Sequence, residues 1–298
     1  MTSPATEQDA AAAGATDDVS VDREFAVDEG GDLLQVENLS VQFGGVTALD
    51  DVSFTIRRGE ILGLIGPNGA GKTTCFNAMT GVYKPTQGRV VFDGTDLSGR
   101  SRHGITRLGI ARTFQNIRLF ATMTALENVV VGTDARHRTG MTGAIFRSPR
   151  HRREERSAYD RAMALLEFVG IADRAAEQAR NLPYGYQRRL EIARALGTDP
   201  KLLCLDEPAA GFTASEKAEL MELIREISKQ GYTVLLIEHD MRLVMGVSHR
   251  IVVLEFGRKI ADGDPAQVRT DPAVIAAYLG SDEPETPADD GRDPDGDS

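Results

Sequence analysis

The sequence contains no tryptophan and only two cysteines among its 298 residues. Two cysteines form neither a disulfide framework nor a zinc-ligand pattern, so we expect Cys75 and Cys204 to be reduced core thiols, as in a cytosolic protein, rather than a redox pair. No apolar run approaches the roughly 18 residues of a membrane span, and the first residues lack the features of a secretory signal. The sequence therefore predicts a chain that neither crosses a membrane nor is exported.

Basic residues are scarce at both ends of the chain. Residues 1–30 and 281–298 each contain eight acidic side chains and one arginine, with almost no large apolar residues. Such segments cannot bury enough surface to offset the entropy of ordering, so we predict two disordered acidic tails. The net charge of −11 thus divides into −14 on the tails and +3 on residues 31–280, which we predict to form the folded domain.

Apolar periodicity predicts an α/β fold. Alternation over Leu33–Phe43 and Val52–Ile56 predicts an antiparallel pair of strands. Short continuous apolar runs are typical of strands buried on both faces of a mostly parallel sheet. Four runs have this character: Ile61–Ile65, Leu202–Leu205, Val234–Ile237 and Ile251–Leu254. Helical spacing of apolar residues predicts an amphipathic helix over Arg156–Val169.

One segment, Asp134–Arg161, is locally basic, with eight arginines and two histidines against four acidic residues. A patch for nucleic acid or lipid headgroups is one interpretation. We favour a solvated helical surface, because acidic residues are interspersed and no aromatic stacking ladder accompanies the arginines.

A phosphate-binding loop follows the first buried strand directly. The segment GPNGAGKTT fits G-x-x-x-x-G-K-[ST] in a strand-loop-helix context. In this pattern the backbone N–H groups and the helix N-terminus hold phosphate, Lys72 reaches the β and γ oxygens, and Thr73 offers a hydroxyl to Mg²⁺. The expected nucleotide contacts are Gly66, Pro67, Asn68, Gly69, Ala70, Gly71, Lys72, Thr73 and Thr74.

A second acidic element completes the predicted chemistry. The strand Leu202–Leu205 ends in Asp206, and Glu207 follows. Alone, this pair would be read as a turn or a helix cap. Beside a phosphate-binding loop, we expect Asp206 to hold Mg²⁺ through water and Glu207 to act as the general base toward the attacking water.

With these motifs in order, the sequence resembles the nucleotide-binding subunits of ABC transporters over nearly all of residues 33–280. The segment TFQN places Gln115 at the family's Q-loop position, which implies contact with Mg²⁺ or water. The segment VLLIEHDM places His239 at the switch-histidine position, which implies contact with the γ-phosphate. Phe43 matches the aromatic residue that stacks on adenine.

The resemblance also implies a head-to-tail dimer, in which the signature segment, usually LSGGQ, binds the partner's γ-phosphate. Here the segment reads LPYGYQ, so Pro183 replaces the usual serine and Tyr184 the first glycine. Thr213 stands where the family usually has aspartate. The residues implied as contacts to the partner's nucleotide are Leu182, Pro183, Tyr184 and Gly185.

Segments such as VQFGGVTAL, RTFQNIRLFATMTALENV and LPYGYQRRLEIARAL are similar to the ATPase subunit of branched-chain amino-acid importers. This resemblance implies an ATP- and Mg²⁺-dependent energy-coupling subunit at the cytoplasmic face of the membrane. The implied partners are transmembrane permease subunits, a second ATPase subunit in a heterodimer or homodimer, and, indirectly, an extracytoplasmic solute-binding protein, without nucleic acid. Urea or amide importers and lipopolysaccharide exporters share parts of the pattern.

The resemblance implies the fold of an ABC-type P-loop NTPase, with a mixed, mostly parallel sheet, an antiparallel β subdomain and a helical subdomain over about 116–195. We expect the helical insert around Gln115–Arg161 to dock on cytoplasmic loops of the membrane partner. A soluble ABC ATPase for DNA or ribosomes is an alternative, although only 133 residues separate Lys72 from Asp206 and the chain has one cassette. A third alternative is a nucleotide-binding scaffold that does not hydrolyse ATP. The presence of Glu207 and His239 argues against it.

Overall fold

The computed structural model describes residues 31–134 and 149–279. The two acidic tails predicted above and residues 135–148 of the basic segment lie outside the described residues. So do the side chains of residues 149–155, which include the arginines at 150, 152 and 153. In the described ranges, no helix combines the length and the apolar character needed to cross a bilayer.

A four-stranded antiparallel sheet opens the domain, with strand order β2-β1-β4-β5. Its strands are β1 (Asp32–Phe43), β2 (Val46–Arg57), β4 (Gln87–Phe92) and β5 (Thr95–Asp96). The antiparallel pairing of β1 with β2 confirms the predicted pair. Strand β2 begins six residues before the predicted start, because Val46, Thr47 and Leu49 pair with β1 although only Leu49 among the six added residues is buried.

A six-stranded sheet forms the centre, with strand order β10-β9-β3-β8-β7-β6. Its strands are β3 (Ile61–Ile65), β6 (Ile110–Arg112), β7 (Leu202–Asp206), β8 (Thr233–Ile237), β9 (Arg250–Glu255) and β10 (Arg258–Gly263). All pairs are parallel except β9 with β10. Every residue of β3, β7 and β8 is buried, which confirms the meaning of the continuous apolar runs.

Nine α-helices lie within the described ranges. They are α1 (Lys72–Met79), α2 (Arg102–Leu108), α3 (Ala125–Asp134), α4 (Pro149–Phe168), α5 (Tyr184–Gly197), α6 (Ala214–Lys229), α7 (Met241–Val247), α8 (Pro265–Thr270) and α9 (Pro272–Leu279). Helix α4 begins seven residues before the predicted Arg156. Helices α3, α4 and α5 follow β6 and precede β7 in the chain, and they pack together. They fall within the stretch predicted as a helical subdomain, and the boundaries of that subdomain stay a prediction.

The two faces of the central sheet bury separate cores. In β3, Leu62 and Leu64 pack toward α1 and the antiparallel sheet, whereas Ile61 and Ile65 pack toward α5, α6 and α7. Side chains of a strand alternate between faces, so one five-residue run supplies both cores. Cys75 and Cys204 are free and buried, and burial raises the pKa of both thiols to about 12. The prediction of unpaired core thiols is confirmed.

Candidate functional site

The phosphate-binding loop lies between β3 and α1, and two of its glycines are required by close packing. Gly66 has φ +152°, and a Cβ there would lie 2.1 Å from the carbonyl oxygen of Leu254 in β9. Gly71, the N-cap of α1, has φ +98°, and a Cβ would lie 2.8 Å from the carbonyl oxygen of Ala48. The loop is therefore fixed against β9 at its start and against β2 at its end.

Lys72 begins α1 and folds back over the loop. Its Nζ donates hydrogen bonds to the carbonyl oxygens of Gly66 (2.7 Å) and Pro67 (2.8 Å). Burial lowers the pKa of Lys72, and the nearby charge of Glu207 opposes that shift. The ammonium group is thus held within the loop, and the side chain of the next residue, Thr73, is exposed.

Asp206 is the last residue of β7 and lies at the carboxyl edge of the sheet, where ligands bind in open α/β sheets. The residue is 6% exposed, and its Oδ2 lies 3.8 Å from Nη2 of Arg112. Burial raises the pKa of Asp206, and the Arg112 charge opposes this shift. A cation bound at this carboxylate therefore gains by satisfying a desolvated charge.

Sequence reasoning missed Arg112, which packs between two aromatic rings. Its guanidinium carbon lies 4.4 Å from the ring centre of Phe76 and 4.6 Å from that of Phe114. Its Nη1 donates to Asn77 Oδ1 (3.1 Å) and Thr80 Oγ1 (3.2 Å), both near the end of α1. The only signal in the sequence for these contacts of Arg112 was its position directly before the segment TFQN.

Three residues predicted to act together meet beyond β7. The Nε2 group of Gln115 donates to Glu207 Oε2 at 2.9 Å, and His239 Nδ1 lies 3.9 Å from the same oxygen. Glu207 adopts a left-handed backbone (φ +46°), and its N–H donates to the carbonyl oxygen of Ile237 at the end of β8. The geometry therefore brings a carboxylate, an amide and an imidazole into one cluster.

A buried carboxylate that sequence reasoning missed supports this cluster from behind. Glu238 is 1% exposed, and its Oε1 accepts the N–H of Ala209 at 2.8 Å. Its Oε2 accepts the N–H of His239 at 3.3 Å. Burial raises the pKa of Glu238. Its place between β8 and the predicted His239 in the segment VLLIEHDM was the available signal.

Phe43 ends β1 and is 46% exposed. Its ring meets that of Tyr83 edge to face, with centres 5.0 Å apart. Both rings are partly exposed to solvent, and stacking of Phe43 on adenine stays a prediction.

The signature segment lies apart from the chain's own phosphate-binding loop. Pro183 is the N-cap of α5, and Tyr184 begins the helix. The ring of Tyr184 meets that of Phe212 edge to face at 6.1 Å, in the loop after β7. In the part of the chain that the structure describes, no hydrogen bond joins residues 182–185 to residues 66–74.

Thr213 replaces the usual aspartate without loss of local structure. Its hydroxyl accepts the N–H of Glu216, and the Glu216 carboxylate accepts the N–H of Thr213, which is a complete capping box for α6.

We expect Thr213→Ala to lower the free energy of unfolding by about 1 kcal/mol in urea denaturation. Thr213→Asp, which restores a capping acceptor, serves as the control and should match the parent.

The oxygen donors near the loop fit Mg²⁺ bound together with phosphate. Mg²⁺ in phosphate sites takes one or two protein carboxylates or hydroxyls and fills its other positions with phosphate oxygens and water. Thr73, Asp206 and Gln115 offer such donors. Across the described ranges no group of three acidic, histidine or cysteine residues forms a cage of its own.

Comparisons with known proteins identify the family of the chain. A family model described as ABC transporter matches residues 49–210, and one described as branched-chain amino acid ATP-binding cassette transporter matches residues 258–284. The chain is 49% identical over 249 residues to the high-affinity branched-chain amino acid transport ATP-binding protein LivG of Salmonella typhimurium, covering 83% of this chain and 98% of the relative.

Two solved structures extend the comparison. The ADP conformation of an ATP-binding cassette of an ABC transporter superposes with a TM-score of 0.72 at 31% identity, covering 84% of this chain and 100% of that one. A dimeric ATP-binding cassette bound to ADP and Pi gives 0.66 at 26% identity, covering 78% and 98%. These likenesses confirm the α/β fold of ABC type. The chain therefore belongs to the ABC transporter family of ATP-binding proteins and is an ATPase.

Proposed function

We propose that this ATPase is the energy-coupling subunit of an importer for branched-chain amino acids, at the cytoplasmic face of the membrane. The catalytic part of the proposal is carried by the contact of Gln115 with Glu207 beside the phosphate-binding loop. The solute is supported by the branched-chain amino acid transport named for the LivG relative and by the family model that matches residues 258–284.

In the proposed mechanism, ATP phosphates bind the N–H groups of the loop and the start of α1, and Lys72 exchanges its contacts with loop carbonyls for phosphate oxygens. Thr73, Asp206 and Gln115 would hold Mg²⁺, which would supply neutralisation of the charge on the transferred phosphoryl group. Glu207 orients and deprotonates the attacking water, with His239 beside it.

Two ATPase chains complete each site in this proposal, supported by the solved dimeric cassette. The start of α5 faces the partner's nucleotide, and Pro183 there has neither a hydroxyl nor an N–H. One hydrogen bond of the usual signature is thereby lost, an effect of about 0.5–1.5 kcal/mol. A heterodimer tolerates such a difference because its two composite sites need not be equivalent.

We further propose that a cavity of about 460 Å³ beside Gln115 receives a short cytoplasmic helix of the permease. It lies between α2, α3 and α5, with apolar walls that include Phe114 and Phe120. Arginines at 102, 112, 118 and 194 line it against a single carboxylate, that of Glu191, which already pairs with Arg188. The excess positive charge favours a helix that is apolar on one face and carries an acidic residue.

Charge reversal tests this docking surface. We expect Arg102→Glu with Arg118→Glu to abolish co-purification with the permease subunits, while the Kd of the chain for ATP stays within about twofold because neither side chain contacts residues 66–74. Lys229→Glu, an exposed reversal at the end of α6, is the control. Unchanged assembly of the double variant would contradict the proposal.

Purification from native membranes tests the function itself. We expect a tagged chain to retain two multispanning subunits and a second ATPase, and the assembly, supplied with its extracytoplasmic receptor, to take up radiolabelled leucine only with ATP. Uptake of urea or of amides, without uptake of leucine, would contradict branched-chain amino acids as the solute. Recovery of ribosomes or DNA would overturn transport as the function.

A further inference from the structure

Helix α5 carries a fully buried ion pair. Arg188 is 0% exposed and Glu191 is 1% exposed, and Arg188 Nη1 lies 3.0 Å from Glu191 Oε2. Burial raises the pKa of Glu191, and the Arg188 charge opposes the shift. Removing two charges from water costs several kcal/mol per ion unless further hydrogen bonds complete their shells, so the remaining partners of the pair decide what it does.

Those remaining partners lie mostly in the backbone around Gln115. Arg188 donates to the carbonyl oxygens of Phe114 (2.8 Å) and Gln115 (2.9 Å). Glu191 Oε1 accepts the N–H groups of Phe114 (3.3 Å) and Arg118 (3.5 Å). These contacts join positions more than 70 residues apart in the chain. The pair therefore fixes the peptide groups on both sides of the Gln115 side chain.

Tyr184 connects this network to the start of the signature helix. Its hydroxyl lies 3.1 Å from Arg188 Nη2, and its ring contacts that of Phe212 in the loop that follows Glu207. The residue usual at this position in the family, glycine, has no side chain to make either contact. The departure from the usual signature thus adds a side chain that reaches the buried arginine.

The outcome of these contacts is a continuous path of hydrogen bonds. It runs from Tyr184 through Arg188 to the backbone of Gln115, and the Gln115 amide ends at Glu207 Oε2 at 2.9 Å. Arginine suits the central place because its planar fork can serve several carbonyl and hydroxyl acceptors at once, whereas a lysine ammonium is a single point charge.

We propose that Arg188, Glu191 and Tyr184 are positioning residues for Gln115, which hold its amide against Glu207 and make the start of α5 and the Gln115 segment move as one unit. The proposal rests on the catalytic roles proposed above for Gln115 and Glu207. Within one subunit, none of the three residues is a catalytic residue in this proposal. They act through the Gln115 segment.

Three variants test the network in the full chain: Arg188→Lys, Glu191→Gln and Tyr184→Phe. We expect the ATPase kcat to fall about tenfold for Arg188→Lys, less for Glu191→Gln and about twofold for Tyr184→Phe, in the order of hydrogen bonds lost. For Arg188→Lys and Glu191→Gln, the Kd of a non-hydrolysable ATP analogue should stay within about twofold, because residues 66–74 and the implied contacts to the partner's nucleotide at residues 182–185 are untouched.

Hydrogen exchange gives a readout that a general loss of stability does not imitate. In Arg188→Lys and Glu191→Gln, the backbone N–H groups of Phe114 and Arg118 should exchange faster, while those of β3 and β8 keep their parental rates. Glu219→Gln is the matched control, since it removes a carboxylate bound by the neighbouring Arg189 on the exposed side of α5. It should change neither measurement.

Parental kcat and parental exchange at Phe114 and Arg118 in both α5 variants would overturn the proposal. So would an equal loss of nucleotide binding and kcat, which indicates a merely structural pair. If the charged variants fail to fold, Tyr184→Phe, which lacks one oxygen, is measured by hydrogen exchange, and parental exchange at Phe114 in that variant overturns the proposal. The two proposals fail separately. If Glu207 is not the general base, Glu191→Gln should still speed hydrogen exchange at the N–H of Phe114, because that N–H is bound by Glu191.

Discussion

We expect Glu207→Gln to lower the ATPase kcat by a factor of about 10²–10⁴, the usual contribution of a positioned general base, and to preserve the Kd for ATP. The carboxylate lies at the end of β7, and its Oε2 is 2.9 Å from the Gln115 amide and 3.9 Å from His239. Glutamine retains the shape and can still contact that amide, but it cannot take a proton from water. The measurement is phosphate release alongside equilibrium binding of labelled ATP.

Glu167→Gln is the matched control for this change. Glu167 is an exposed carboxylate of α4, remote in sequence from every motif of the site, and its loss should leave turnover at the parental rate. Turnover of Glu207→Gln at the rate of this control would remove Glu207 from the mechanism and shift attention to His239 or Glu238.

We expect Lys72→Ala to have the opposite effect, because it should weaken the binding of ATP more than the turnover at saturating ATP. The ammonium group is held within the phosphate-binding loop by the carbonyl oxygens of Gly66 and Pro67. Alanine loses a charge-assisted contact to two phosphate groups and also releases those two carbonyls. We expect the Kd for MgATP to rise about 100-fold, measured by calorimetry.

Lys84→Ala provides the control for a lost positive charge, because Lys84 is exposed beyond the end of α1. Nearly parental affinity in Lys72→Ala would contradict the assignment of the loop as the nucleotide site. Together, the Glu207 and Lys72 variants separate hydrolysis from binding: the first should trap ATP on the protein, and the second should leave the protein without it.

The phosphate-binding loop and the buried strands could be predicted from sequence because their signals are local. Nine contiguous residues define the loop, and five-residue apolar runs such as Ile61–Ile65 define strands buried on both faces. Amphipathic periodicity predicted α4 only from Arg156, because its first turns from Pro149 are almost wholly polar and therefore carry no apolar stripe.

The contacts around Gln115 were beyond reach of the sequence for a different reason. In the segment QRRLEIAR, Arg188 and Glu191 have the i, i+3 spacing of an exposed ion pair on a solvated helix face. Their burial depends on the chain 73 residues earlier, which packs over them. The approach of Gln115 to Glu207, 92 residues apart, was likewise implied only by the family resemblance.

The left-handed backbone at Glu207 has a consequence for the evolution of the protein. A non-glycine residue held at φ +46° stores about 1–3 kcal/mol of strain, a large fraction of the net stability of a typical domain. Asparagine adopts this conformation more readily than glutamate, so with Glu207 as the general base proposed above, an asparagine that relieved this strain would also remove hydrolysis. Selection for hydrolysis and selection for heat resistance therefore act in opposite directions at this position, and any stabilised descendant of this chain must gain its stability elsewhere.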